Sequence, residues 1–417
     1  MARVLLLTLV FPPDSVSTAQ IMGDLATDLL GLGHDVTVVT TTPHYNRDPE
    51  LEARQPLRPW WGRVVQRSSF AGATVYHTAM PAKTASIPRR LLAWLQFHIL
   101  SLAVGVCALR RVDVIVAPSP PLTMGVAAWL LGLRHRAPFV YNVQEIYPDI
   151  AIRMGAVRNR RLIALLHRLE RFVYARAAVI TLIADGMARR LLEKGVPRER
   201  IEVIPNFVDV DAFQAVAAPN AFTREFGLDG AFLVTYAGNL GPLQGLDLLL
   251  DAAQQLRDEP AVVFAIVGGG TLRDPIARRI LQDRLENVRL IPFQPVSRVP
   301  EIYGASDLNV VALASSTGSD AVPSKVYRIM ACARPVLAVT DADSDLAALV
   351  REAGSGIIAR PAARDVAEAI RRAHADRSSL AALGAAGRRH VERHYARPLV
   401  TARYDALLTR LAQASGR

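Results

Sequence analysis

Cysteine is almost missing from this chain. Two residues, Cys107 and Cys332, occur in 417 positions. Both lie in apolar, helical context, which argues against a disulfide framework or a zinc site and fits a reducing compartment. There is no zinc finger, no RNA-binding aromatic motif and no basic tail. Nucleic acid is therefore a poor partner despite a formal net charge of +11. The glycines Gly268–Gly270 lack the spacing of a dinucleotide fingerprint. The apolar start MARVLLLTLVFPPDS is short, has no small-residue cleavage site and ends in Pro-Pro, so it reads as a first β-strand rather than a signal peptide. No Asp-x-Asp stands where a metal would serve a nucleotide: Asp209 and Asp211 have that spacing, but they sit in a linker and read as structural.

What is present is a globular composition, 51% hydrophobic and 21% charged, long enough for two or three domains. The basic excess favours anionic partners such as a membrane surface or phosphorylated substrates. One segment, Leu91 to Leu109, is apolar over nearly a bilayer length and is flanked by Arg89-Arg90 and Arg110-Arg111. Gln96, His98 and Ser101 interrupt it. The expectation is a helix that packs in a domain or dips one face into the lipid interface, not a span.

The pattern along the chain is strand–helix alternation, repeated in two halves. RVLLLTLVF, DVTVVTT, DVIVAPS, APFVYNVQE and AAVITLIA read as strands, with helices from Ala19 to Leu32 and at about 91–109, 121–133 and 159–176. A polar pause at VIPNFVDVDAF reads as a linker. The alternation then resumes with AFLVTYAGN, VVFAIVGGG, VRLIPF, DLNVVAL, VLAV and GSGIIA as strands and helices between them. This predicts an α/β fold of two Rossmann-like, doubly wound domains, whose ligands bind beyond the carboxyl ends of the strands in the cleft they face. The expected boundaries are 1–205 and 206–394, followed by a helix-patterned segment, 395–417.

The segment from Asp320 to Asp341, DAVPSKVYRIMACARPVLAVTD, reads loop, helix, strand. Pro323 suits a first helical turn. Lys325 and Arg328 fall on one side of that helix, three residues apart. Cations gain nothing from a helix N-terminus, so two of them there point to an anionic guest; the alternative is a buried helix with two solvated basic side chains. Other loops at strand ends are FPPDSVSTAQ, APSPPLT, NVQEIYPD, AGNLGPLQG, VGGGTLRD and PFQPVS.

These blocks, in this order, resemble family 4 glycosyltransferases of the GT-B class. The resemblance runs over nearly the whole chain: the FPP opening, GHDVTVVTTTPHYN, the hinge VIPNFVDVDAF, TYAGNLGPLQGLDLLLDAA, VFAIVGGGTLRD, IYGASDLNVVAL and PSKVYRIMACARPVLAVTD. Pro-Ser-Lys-x-Tyr, Gly-Asn-x-Gly-x-x-Gln-Gly and NVQEIYPD are most similar to the bacterial exopolysaccharide and O-antigen subgroup, which includes N-acetyl-L-fucosamine transferases. The resemblance implies no bound cofactor and a nucleoside diphosphate sugar as donor, a UDP-sugar favoured over a GDP-sugar. It implies a glycan or polyprenyl-diphosphate-linked acceptor and a cytoplasmic enzyme peripheral on the inner face of the plasma membrane. It also implies metal-independent transfer with retention and a C-terminal helix crossing back to the first domain.

The residues the resemblance marks for the donor are Gly238, Asn239, Gly241, Gln244, Gly268, Phe293, Gln294, Pro323, Ser324, Lys325 and Arg328. Two departures matter. The arginine and lysine that hold the diphosphate in many members read Asn239 and Gln244, and the paired glutamates read Asp320 and Arg328. Asp320 still accepts hydrogen bonds from a sugar; Arg328 only donates. The expectation is that Lys325 and Arg328 take over the diphosphate, with a solvated Arg328 as the alternative. Glu145 and Asp320 are the candidate catalytic carboxylates. Glu145 either orients the acceptor hydroxyl or pairs with a nearby arginine, and Asp149 is open in the same way. His34 and His44 read as structural. An epimerase or a non-catalytic nucleotide-sugar-binding protein is the alternative to a transferase.

Overall fold

A computed structural model describes residues 1–44, 48–81, 87–313 and 322–415. The chain forms two compact units, Met1–Pro205 with Pro398–Arg417, and Asn206–Arg397.

The first unit holds a nine-stranded sheet. Its strands are β1 (Arg3–Leu7), β2 (Asp35–Thr41), β3 (Arg58–Trp60), β4 (Gly62–Phe70), β5 (Ala73–Thr78), β6 (Val114–Pro118), β7 (Phe139–Val143), β8 (Val179–Leu182) and β9 (Ile201–Val203), in spatial order β3-β4-β5-β2-β1-β6-β7-β8-β9. The pairs β3–β4 and β4–β5 are antiparallel and the other pairs parallel. Strands such as β6 and β7 are buried at every residue. Helices on both faces demand this, and it is why these strands read as unbroken apolar runs.

The second unit holds a six-stranded parallel sheet. Its strands are β10 (Phe232–Ala237), β11 (Val262–Val267), β12 (Val288–Ile291), β13 (Leu308–Ala312), β14 (Val336–Val339) and β15 (Gly356–Ala359), in the order β12-β11-β10-β13-β14-β15. Numbered within the unit this is 3-2-1-4-5-6, the doubly wound order. The strand direction of travel reverses between β10 and β13, as it does between β1 and β6 in the first unit. Crevices at such reversals, beyond the carboxyl ends of the strands, are where ligands bind.

The chain leaves the first unit after Pro205 and returns at Pro398. The return comes a few residues later than the expected Tyr395, because Tyr395–Arg397 pair with the second unit: Val208 N–H donates to Tyr395 O at 3.0 Å and Arg397 N–H to Val208 O at 2.9 Å. Asp209, the first carboxylate of the Asp-x-Asp, accepts from the N–H groups of Asp211 and Ala212 and stabilises that turn. The helix Arg397–Ser415 then packs on the first unit through Val400, Tyr404, Leu407 and Leu408, all buried. Tyr404 Oη accepts from Asn142 Nδ2 at 2.9 Å. His34 accepts from Ala2 N–H at Nδ1, and its Nε2 stands 2.7 Å from Asp405, a structural role.

The expected apolar helix spans Ile87–Cys107. It buries Ala93, Phe97, Ser101 and Val104 and exposes Leu91, Leu92, Leu95, Ile99 and Val106. Among the described residues no helix is long and apolar enough to cross a membrane.

Candidate active site

The second unit gathers most of the marked residues at its strand reversal. Gly238 follows β10 directly and Gly268 follows β11. The loops are knitted together: Gly238 N–H donates to Val267 O at 3.0 Å, Leu240 N–H to Gly269 O at 2.8 Å and Gly268 N–H to Ile291 O at 3.1 Å. Two glycines are required for this. Gly238 and Gly268 have φ of 146° and 151°, and a Cβ on Gly268 would fall 2.0 Å from Gly238 O. Gly268 therefore has a packing role, holding the first glycine loop in place.

Lys325 is the unusual group here. Its ammonium nitrogen is buried and has no hydrogen-bond partner, although the stem keeps some exposure. It lies 3.8 Å from the centre of the Tyr236 ring and 2.9 Å from where a Cβ on Gly238 would stand. Desolvation lowers its pKa from 10.5 to about 7. A buried cation without an anion costs folding free energy, and a bound anion removes that cost. Cation–π contact with Tyr236 offsets part of it.

Tyr236, fully buried, braces the same loop. Its hydroxyl lies 2.7 Å from Asn239 O and 3.0 Å from Gln244 Oε1. The Gln244 side chain is thus turned toward the scaffold, while Asn239 is exposed. Gly241 stands against the Asn239 amide. Arg273 donates to Gly268 O at 3.1 Å and Ile291 O at 3.2 Å, tying the ends of β11 and β12. Phe293, 46% exposed, presents a ring just beyond β12. Gln294 is occupied: its Oε1 accepts from Arg298 at 2.8 Å.

Two expectations change. The helix carrying Lys325 is only Lys325–Ala331, so Pro323 and Ser324 precede it, and the N–H of Val326 is used by Pro323 O. The feature offered to an anion is the lysine cation rather than a helix end. Arg328 does not join Lys325; its guanidinium stacks 4.9 Å from the Phe213 ring centre. Asp320 lies outside the described residues.

In the first unit, Glu145 stands two residues beyond β7, beside the reversal between β1 and β6. Ser119 Oγ donates to Glu145 O at 3.3 Å and accepts from Gln144 N–H, which fixes the turn. The Gln144 side chain folds back onto Asn142 Oδ1. The Glu145 carboxylate makes no ion pair or hydrogen bond among the described residues, and burial raises its pKa. Asp149 is different: Lys194 binds it at 2.9 Å and also binds Glu170 at 2.5 Å. Asp149, His167 and Glu170 form the one cluster of metal-ligand type among the described residues, and Lys194 already supplies its cation. The His44 side chain is largely covered, with its backbone N–H on Asp14 at 3.1 Å and Nδ1 beside Thr41 and Thr42.

Sequence reading missed Tyr236 and Arg273. Tyr236 looks like an ordinary core aromatic in a strand. Arg273 carried a faint signal, as a cation just after a glycine run that ends a strand.

Residues 18–206 match the model of the glycosyl transferase 4-like domain, and residues 221–390 match that of glycosyl transferases group 1. The chain belongs to the family 4 glycosyltransferases. It is 26% identical over 360 residues to an Escherichia coli K12 protein named as colanic acid biosynthesis glycosyl transferase WcaI, covering 83% of this chain and 85% of that one. Its fold matches sucrose-phosphate synthase from Thermosynechococcus elongatus with a TM-score of 0.77, at 17% identity over 99% of this chain and 100% of the other. It also matches Anabaena HepE solved with UDP-glucose, with a TM-score of 0.73 and 16% identity over 98% and 100% of the two chains. The structural likenesses establish the GT-B fold. The family assignment makes the chain a transferase of glycosyl groups.

Proposed function

We propose that this enzyme moves a sugar from a UDP-sugar to a lipid-linked glycan during assembly of a bacterial surface polysaccharide, without a metal and with retention of anomeric configuration. The second unit is the donor-binding unit and the first the acceptor-binding unit. The observation that carries the reading is Lys325, a buried cation lacking a partner at the strand reversal of the second unit. Breaking the glycosyl bond leaves a diphosphate whose added charge must be stabilised by preorganised donors. Lys325 is placed for that work, with Arg273 as the second cation near the same loops. Phe293 offers a flat face for the base. Glu145 receives or orients the acceptor hydroxyl. The HepE complex with UDP-glucose and the name of the colanic acid relative support the donor and the polysaccharide setting.

Calorimetry with UDP, GDP, TDP and ADP against their nucleosides tests this. UDP should bind most tightly, and far more tightly than uridine, with EDTA making no difference. A protein that binds no nucleoside diphosphate would overturn the reading.

The same proposal includes an anionic membrane surface. The exposed leucines of the Ile87–Cys107 helix would enter the interface, with Arg89, Arg110 and Arg111 on lipid phosphates. Sedimentation with phosphatidylglycerol vesicles should fall with salt, and should fall again in Leu92→Gln with Leu95→Gln. Sedimentation indifferent to both would remove the membrane from the proposal.

A further inference from the structure

The first unit carries a pocket of about 730 Å³ beyond the carboxyl ends of β2 and β5, away from Glu145. Its lining includes Gln55, Arg63, Gln66 and Gln96, with Pro13, Pro43 and Met80 as apolar wall. The antiparallel extension β3–β4 builds its outer side.

Gln55 is held in a fixed orientation, and the chemistry of its neighbours says which. His77 is fully buried, and burial lowers its pKa to about 4, so it is neutral. Its Nδ1 lies 3.1 Å from Thr41 O, which only accepts, so Nδ1 carries the proton. Nε2 is then an acceptor, and Ser68 Oγ donates to it at 2.8 Å. Ser68 Oγ in turn accepts from Gln55 Nε2 at 2.9 Å. The amide oxygen of Gln55 is what remains for the pocket. Gln96 likewise donates Nε2 to Ala79 O at 3.0 Å and keeps its oxygen. Gln66 makes no side-chain hydrogen bond to the other described residues, and Arg63 is exposed at the rim.

We propose that this pocket is a saccharide subsite that takes a sugar of the acceptor behind the one that reacts. A hydroxyl both gives and takes a hydrogen bond. Oriented amide oxygens beside free amide and guanidinium donors match it, and the proline and methionine wall matches the C–H face of a sugar ring. A phosphate would call for donors alone, and an apolar ligand for neither. The position sets the order. From β2 to β7 the sheet crosses β1 and β6, three strand spacings or about 14 Å, too far for the sugar whose hydroxyl meets Glu145. This rests on the acceptor being a glycan.

Saturation-transfer NMR on the full chain, without nucleotide, tests it. The probes are the methyl glycosides of glucose, galactose, mannose, fucose, N-acetylglucosamine and glucuronic acid. At least one should receive saturation, and its affinity should fall at least ~10-fold in Gln66→Ala with Arg63→Ala, a half-buried and an exposed position outside the core whose loss should leave the melting temperature unchanged. Gln55→Leu should do the same, and Ser68→Ala, which frees Gln55 without touching the lining, should weaken binding less. No saturation of any glycoside, or equal saturation in wild type and the Gln66/Arg63 variant, overturns the subsite. Glycoside binding in a protein that ignores UDP would overturn the donor reading and leave this one standing.

Discussion

The two units use one strand order around one reversal, yet they place opposite charges there. In the second unit the residue left without a partner is a cation, Lys325, against loops locked to each other by backbone hydrogen bonds. In the first it is a carboxylate, Glu145, with a raised pKa. Another carboxylate of the first unit, the buried Glu170, is matched by Lys194, which also binds Asp149. Unpaired charge in a low-dielectric setting is expensive, which is the argument for the proposal that each unit meets a ligand at these positions. A cation suits a leaving diphosphate and a carboxylate suits an attacking hydroxyl. In the proposed mechanism the fold supplies the location and one side chain per unit the chemistry.

The comparison breaks most readily at Glu145. Glu145→Gln keeps the shape and removes the charge. Transfer should fall about 10²- to 10⁴-fold, the range of a lost acid–base or orienting group, while UDP affinity, carried in the proposal by the loops of the second unit, stays within a factor of about two. Full transfer by this variant would leave the first unit without a chemical role at that position.

The second test separates the units by stability. All four tryptophans, Trp60, Trp61, Trp94 and Trp129, lie in the first unit, so their fluorescence reports that unit alone. Leu407, fully buried on the C-terminal helix, contributes to the same core. Leu407→Ala should cost about 2–5 kcal/mol in the fluorescence-detected urea transition and leave UDP binding at low urea intact. Loss of UDP binding along with the fluorescence change would show that the units do not stand independently.

Lys325→Met tests the cation. Losing a charge-assisted contact is worth about 1.5–3 kcal/mol, or roughly 10- to 150-fold in UDP affinity. Uridine should bind equally to both proteins. An equal loss for UDP and uridine would move the diphosphate away from Lys325.

Much of this was readable in advance, and the exceptions have physical causes. Strands buried on both faces, such as VIVAP and VVFAIV, announce themselves as apolar runs. The antiparallel strands β3 and β4 do not. GRVVQRSSF is exposed at most positions and carries no clear alternation, so the extension that shapes the pocket beyond β2 and β5 went unread, as did β5 and the short β9. Lys325 stood out by its motif. Its isolation could not be seen, since that depends on Tyr236 and Gly238 from a distant strand. Arg328 was paired with Lys325 because three residues separate them. Helical spacing places the backbone attachment, whereas the guanidinium found an aromatic ring to stack on.

The smallest effect is also the most diagnostic, because it follows protons. The folded pKa of Lys325 is lowered from 10.5 to about 7. Between those values the unfolded chain holds a proton that the folded, ligand-free chain lacks. Stability of the free protein should therefore rise with pH from about 7 toward 10.5 through this residue. Binding runs the other way. A diphosphate beside Lys325 favours the ammonium, so at pH 8 binding must take up about one proton, and UDP affinity should weaken by up to tenfold per pH unit above 7. Calorimetry at pH 8 in two buffers of different ionisation enthalpy counts that proton directly. Lys325→Met should take up none, and Glu145→Gln should take up as much as the wild type, because the carboxylate belongs to the other unit. If the wild type binds UDP at pH 8 with no proton uptake, Lys325 is either already charged or not in contact with the diphosphate, and the contrast drawn between the two strand reversals loses its cationic half.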